Sequence, residues 1–121
     1  MASSIKISPP NSMLFISDRD GGVAPQITRE TRIWSTPSCV AFGCLMEQDG
    51  PTKVTLGAAE DVTSEDRPAF DVFLETPSRN VTVFTSENRP VMEAGVLGTR
   101  TRLRIWTNHP SEPDEVVIGL G

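Results

Sequence analysis

Apolar residues along this chain fall in short runs that alternate with polar ones at a period of two. That is the spacing of a strand with one buried face. Over 70–75, Phe70, Val72 and Leu74 share one side, while Asp71, Phe73 and Glu75 share the other. Over 100–107, Thr101, Leu103 and Ile105 alternate with Arg100, Arg102, Arg104 and Trp106. The pattern places the first set of each run in the core. Runs rich in β-branched and aromatic residues predict strands at 5–8, 13–17, 39–46, 53–56, 69–75, 80–85, 100–107 and 115–120. Turn chemistry separates them: Asp20-Gly21-Gly22, Asp49-Gly50-Pro51, a hairpin-like Pro77-Ser78-Arg79-Asn80, and the pair Gly95 and Gly98. No window carries a helical period. Residues 58–66 are polar and β-branched with Pro68 close behind, which reads as an acidic loop holding at most one helical turn. The expectation is an all-β chain, an antiparallel β-sandwich of about eight strands, in a single domain over 1–121.

Composition narrows the function classes. The chain has 121 residues, 37% of them hydrophobic, and no apolar run approaches the roughly 20 residues that span a bilayer. Eleven Lys and Arg against sixteen Asp and Glu leave a net charge of −5. Nucleic-acid binding calls for an excess of positive charge, so this balance argues against it and favours a basic protein partner. The start has no apolar run of signal-peptide length, and the expected location is cytoplasmic. Cys39 and Cys44, on an apolar strand and pointing to opposite faces, are expected as buried, reduced thiols rather than a disulfide.

Catalytic chemistry finds little to work with. His109 is the sole histidine and sits in a turn beside Pro110, away from any nucleophile on a rigid element. Asp18-Arg19-Asp20-Gly21-Gly22 begins like a calcium loop, but its fifth position is Gly22 and its twelfth is Arg29. Asp71 and Glu75 lie about 13 Å apart along a strand, too far for a glycosidase pair. No metal site, cofactor motif or catalytic set is expected. Two features remain as candidate partner-binding surfaces. One is an arginine ladder, Arg100, Arg102 and Arg104, ending at Trp106. Such a ladder requires carboxylates opposite, from Glu115, Asp71 or Glu75, unless it is itself a recognition face. The other is a cluster of acids, Glu60, Asp61, Glu65 and Asp66, suited to a basic cleft.

Three segments resemble the bacterial competence protein J family, whose members inhibit the DNA-entry nuclease. They are the opening strand pair Ile5-Lys6-Ile7-Ser8 and Met13-Leu14-Phe15-Ile16, then Pro68-Ala69-Phe70-Asp71-Val72, and Arg102-Leu103-Arg104-Ile105-Trp106-Thr107. The likeness in segment order runs over residues 5–120. It departs over residues 23–38, so no functional residue is carried across. The resemblance implies a small cytoplasmic β-protein that restrains a partner such as a nuclease by covering its basic cleft. The residues also leave open an immunity or scaffold module, a small-ligand-binding β-sandwich, an enzyme with an unrecognised site, and a homo-oligomer.

Overall fold

The computed structural model describes residues 2–28, 32–62, 67–109 and 112–121. Among them the chain forms ten strands and one short helix: β1 (Ser3–Ile7), β2 (Met13–Asp18), β3 (Ile33–Thr36), β4 (Cys39–Gly43), β5 (Thr52–Ala58), α1 (Ala59–Val62), β6 (Phe70–Glu75), β7 (Asn80–Thr85), β8 (Pro90–Gly95), β9 (Arg100–Thr107) and β10 (Glu115–Leu120). They build two five-stranded sheets, ordered β1-β5-β10-β9-β6 and β3-β4-β2-β7-β8. The all-β sandwich expected from the alternation is what forms. Pairing is antiparallel except between β5 and β10, which run parallel from Glu115 opposite Lys53 to Leu120 opposite Ala58.

Leu14, Ile16, Val40, Val83, Leu103 and Ile118 are fully buried, and they come from both sheets. Hydrophobic burial between two inner faces is the force that holds such a sandwich together. The faces read from the alternation hold. Leu74, Leu103 and Ile105 are buried, with Phe70 and Val72 packed against the core at the sheet edge.

Three details differ from the sequence reading. Strands β3 and β8 are additional. Both lie at edges of the second sheet, where one neighbour suffices, and β8 opens on Pro90, which an edge position tolerates. The strand expected over 39–46 ends at Gly43. Beyond it Cys44 donates its N–H to Ser12 O at 2.8 Å and Leu45 donates to Pro113 O at 2.9 Å, so the chain leaves the ladder. The turn Pro77-Ser78-Arg79-Asn80 is not a hairpin. It is a corner that carries the chain from β6 in the first sheet to β7 in the second. The acidic segment, as its sequence allows, holds a single turn of helix, α1.

Asp18 holds that corner. It is 2% exposed at the end of β2. Its Oδ1 accepts from the Ser78 N–H at 2.9 Å and the Ser78 hydroxyl at 2.8 Å, and its Oδ2 accepts from the Asp20 N–H at 3.0 Å. Burial pushes its pKa up. The three hydrogen bonds and the nearby Arg19 outweigh burial and hold it below the ordinary carboxylate value.

Candidate functional site

The outer face of the first sheet carries the arginine ladder of β9. Residues Arg100, Arg102 and Arg104 of β9 stand opposite Glu75, Phe73 and Asp71 of β6. Each arginine finds a different partner. Arg102 reaches diagonally to Asp71 in a two-pronged ion pair, with Nε to Oδ1 at 2.9 Å and Nη2 to Oδ2 at 2.6 Å. The hydrogen bonds from Arg102 lower the Asp71 pKa, and those same bonds raise that of Arg102. The expected cross-strand pairing therefore exists, and register selects Asp71 as the partner. The guanidinium of Arg100 lies over the Phe73 ring, 4.2 Å from its centroid. Arg104 donates from Nη2 to Gly121 O at 2.9 Å, and its Nε is shielded from solvent without a hydrogen-bond partner.

Trp106 ends the ladder but is not at the surface. It is 8% exposed, and its position follows from a flat spot on the sheet. Gly57 and Gly119 are directly paired across β5 and β10. A Cβ on Gly119 would stand 3.0 Å from the Trp106 ring and 3.2 Å from Val62 of α1. The missing side chain is thus the space into which the indole and the helix settle.

A groove of about 760 Å³ runs between the arginines, the start of α1 and the β8–β9 connection. Phe73 and Leu97 line it, 52% and 99% exposed, and Glu60 stands at its helix side. The acidic candidates Glu60 and Asp61 are exposed on α1, next to the groove. Glu65 and Asp66 lie outside the described residues. One groove therefore brings together the arginine ladder and Glu60 of the acidic cluster, which the sequence treats as separate features. Phe73 and Leu97 escaped the sequence reading as site residues. Their signals are present in retrospect: an aromatic on an otherwise charged strand face, and a lone leucine inside a glycine-bracketed turn.

The arrangement can hold a complementary surface: guanidinium donors for anions, with an aromatic ring and an aliphatic side chain beside them. Elsewhere, the ring Nδ1 of the exposed His109 accepts the Glu112 N–H at 3.0 Å. Both cysteines are buried and free, and burial pushes Cys39 to about 11 and Cys44 to about 12. No group of three His, Cys, Asp or Glu among the described residues is placed to hold a metal. No described helix is long and apolar enough to cross a membrane.

By sequence, no family model and no curated protein matches the chain. By structure it is similar to ComJ from Bacillus subtilis, an inhibitor of the DNA degrading activity of NucA. The TM-score is 0.63 at 13% identity, covering 99% of this chain and 93% of ComJ. It is also similar to the protein of crocagin biosynthetic gene J, with a TM-score of 0.53 at 15% identity, over 98% of this chain and 94% of that one. The competence protein J resemblance thus extends to the fold, which this chain shares with ComJ over 99% of its length.

Proposed function

We propose that this chain is a non-catalytic protein-binding module that inhibits a nuclease or toxin by covering its basic active-site cleft. The observation that carries this reading is the fold shared across 99% of the chain with a nuclease inhibitor. The surface chemistry agrees. Recognition by occlusion needs shape and charge but no nucleophile, and the exposed Arg, Phe and Leu side chains on one sheet face are suited to contact rather than turnover. The net charge of −5 steers the chain toward a basic partner. Glu60 and Asp61 on α1 bring carboxylates to the rim of the same face. A cytoplasmic setting, with both thiols reduced, belongs to this proposal.

The test is to mix the purified protein with the nuclease or toxin encoded nearest to it and to follow DNA degradation and co-elution. Loss of nuclease activity at stoichiometric protein, with a complex on a sizing column, is the expected result. Undiminished degradation at micromolar protein, with no complex, removes the inhibitor reading.

A further inference from the structure

We infer that the free edge of β6 receives an extended segment of the protein partner as an added strand, apolar on the side facing the second sheet and basic on the side facing solvent. This rests on the protein-binding reading above and names the element that holds the partner. Backbone direction along β6 locates the open edge. Thr76 donates its N–H inward to Thr99 O at 2.8 Å, just before β9, while Glu75 donates the other way, to Pro37 O at 2.9 Å. Directions alternate along a strand, so the N–H and C=O of Asp71 and Phe73 point away from β9, as those of Glu75 do. Ala69 breaks the alternation and donates inward to Ile105 O at 2.7 Å, which closes the open stretch at its start. Among the described residues no other group bonds to the outward N–H and C=O of Asp71 and Phe73. Such an edge is a template for another strand unless it is guarded. Pro90 and the exposed Glu93 guard β8, and the exposed Lys6 guards β1. On β6 the Asp71 carboxylate is neutralised by Arg102, and Phe73 stands 52% exposed beside it.

The space beside that edge suits one strand and not a second copy of this chain. β6 packs against β2 and β4 of the second sheet, and β3 lies on the far side of β4. β3 therefore reaches past β6 and overhangs the open edge. Between them is a cavity of about 280 Å³, whose apolar lining includes Ile33 and Phe42 of the second sheet and Ala69 and Phe70 of the first. Phe70 and Val72 are only partly buried on this inward side. An added strand sends alternate side chains under β3 toward the cavity, where their burial is favourable. A second copy pairing edge to edge would bring its own β3 and β4 into the space that β3 already fills. A single extended segment carries no such sheet. The solvent side sets the charge. Glu75 is exposed and among the described residues has no ion pair, and a lysine opposite Phe73 lies diagonal to it. That sign agrees with the net charge of −5.

Two arms test this and separate it from the inhibitor reading. In the first, the blocked peptide acetyl-Leu-Lys-Val-Lys-Leu-amide is titrated into the labelled protein, following the amide resonances of Asp71 and Phe73. The probe sets its lysines opposite these two residues and its apolar side chains toward the second sheet. Saturable shifts are expected, and none with the same peptide methylated at both lysine backbone nitrogens, which removes the pairing donors. Equal response to both peptides, or none at Asp71 and Phe73, overturns the proposal even where nuclease inhibition is intact. In the second arm, Phe73→Pro and Phe73→Ala are compared with the parent in the nuclease assay. Proline is tolerated where a strand N–H faces outward, so both variants should fold. Inhibition weaker by about tenfold or more is expected for Phe73→Pro, with Phe73→Ala within about threefold of the parent, because only proline removes the pairing N–H. Inhibition by Phe73→Pro equal to the parent, or an equal loss in both variants, overturns the added strand and leaves the inhibitor reading standing. If Phe73→Pro does not fold, the first arm decides. Absence of inhibition by the parent itself overturns the inhibitor reading, and the first arm then decides on the edge alone.

Discussion

At Asp18 a single carboxylate holds the corner between the two sheets, and its ionisation is tied to folding. Its folded pKa lies below the ordinary 3.8. The unfolded state therefore binds more protons in that range, so the stabilisation is present above the unfolded pKa and is lost as pH falls through the folded value. Thermal unfolding followed from pH 6 to pH 2 should show Tm falling below about pH 4, and Asp18→Asn should fall less steeply over the same interval. A parallel decline in parent and variant would assign the acid sensitivity to other carboxylates. At pH 7 Asp18→Ala should cost about 3 kcal/mol in chemical denaturation, because it leaves the Ser78 and Asp20 N–H donors without their acceptor. The cysteines make a second residue-level expectation. With thiols pushed to about 11 and 12 inside the protein, neither should react with a bulky aromatic disulfide reagent at pH 8 until denaturant is added. Rapid native labelling would place a thiol at the surface.

At the scale of elements, the decisive local device is the glycine pair under α1. Gly119→Ala forces its new methyl against the Trp106 ring and Val62, both held by packing. A loss of about 1–3 kcal/mol is expected from such overpacking, together with a changed Trp106 emission read in a Trp34→Phe background. Gly57→Ala meets Ala2 at 2.8 Å from its Cβ and 2.9 Å from its Cα, and Val62 at 3.2 Å, but Ala2 precedes the edge strand β1 and is exposed, so the closest of these contacts can be relieved by a shift of Ala2. It should cost less than Gly119→Ala. The reverse order would show that β1, not α1, is the firmly seated neighbour. The same helix carries Glu60 and Asp61. Reversing both to lysine should slow association with a basic partner while leaving unfolding within about 0.5 kcal/mol of the parent, since exposed charges contribute little to stability.

Across the whole molecule, sheet pairing joins distant parts of the chain. Ser3 of β1 pairs with Leu56, and Val116 of β10 pairs in parallel with Val54. Loop-closure entropy must be met before these contacts form. Refolding followed by tryptophan fluorescence should therefore have its main phase on the order of milliseconds to seconds, as for other β-sandwiches. Completion within microseconds would contradict that. The net charge acts at this scale too. Raising salt should slow association with the partner, because the screening length is about 8 Å at physiological ionic strength and shortens further with added salt.

Alternation along β6 and β9 was enough to state which residues enter the core, because side-chain direction in a strand is local and repeats every two residues. The same rule put the three arginines on one outer face, and turn residues marked most strand ends. Neighbours are another matter. Alternation assigns a side to each residue but not the strand that will lie beside it. Hence the parallel β5–β10 pair, the corner at Ser78 and the edge strands β3 and β8 emerged only when both sheets closed on one core. The site divides in the same way. The ladder was legible as a row of like charges, with Glu115, Asp71 and Glu75 all eligible to oppose it. Strand register chose Asp71, turned Arg100 onto Phe73 and brought Leu97 to the rim. Trp106, on the outer face by its period, lies buried because Gly119 leaves it room and Val62 closes over that space. Those outcomes depend on atoms far apart in the chain meeting at van der Waals distance, and packing at that range is decided by the fold as a whole.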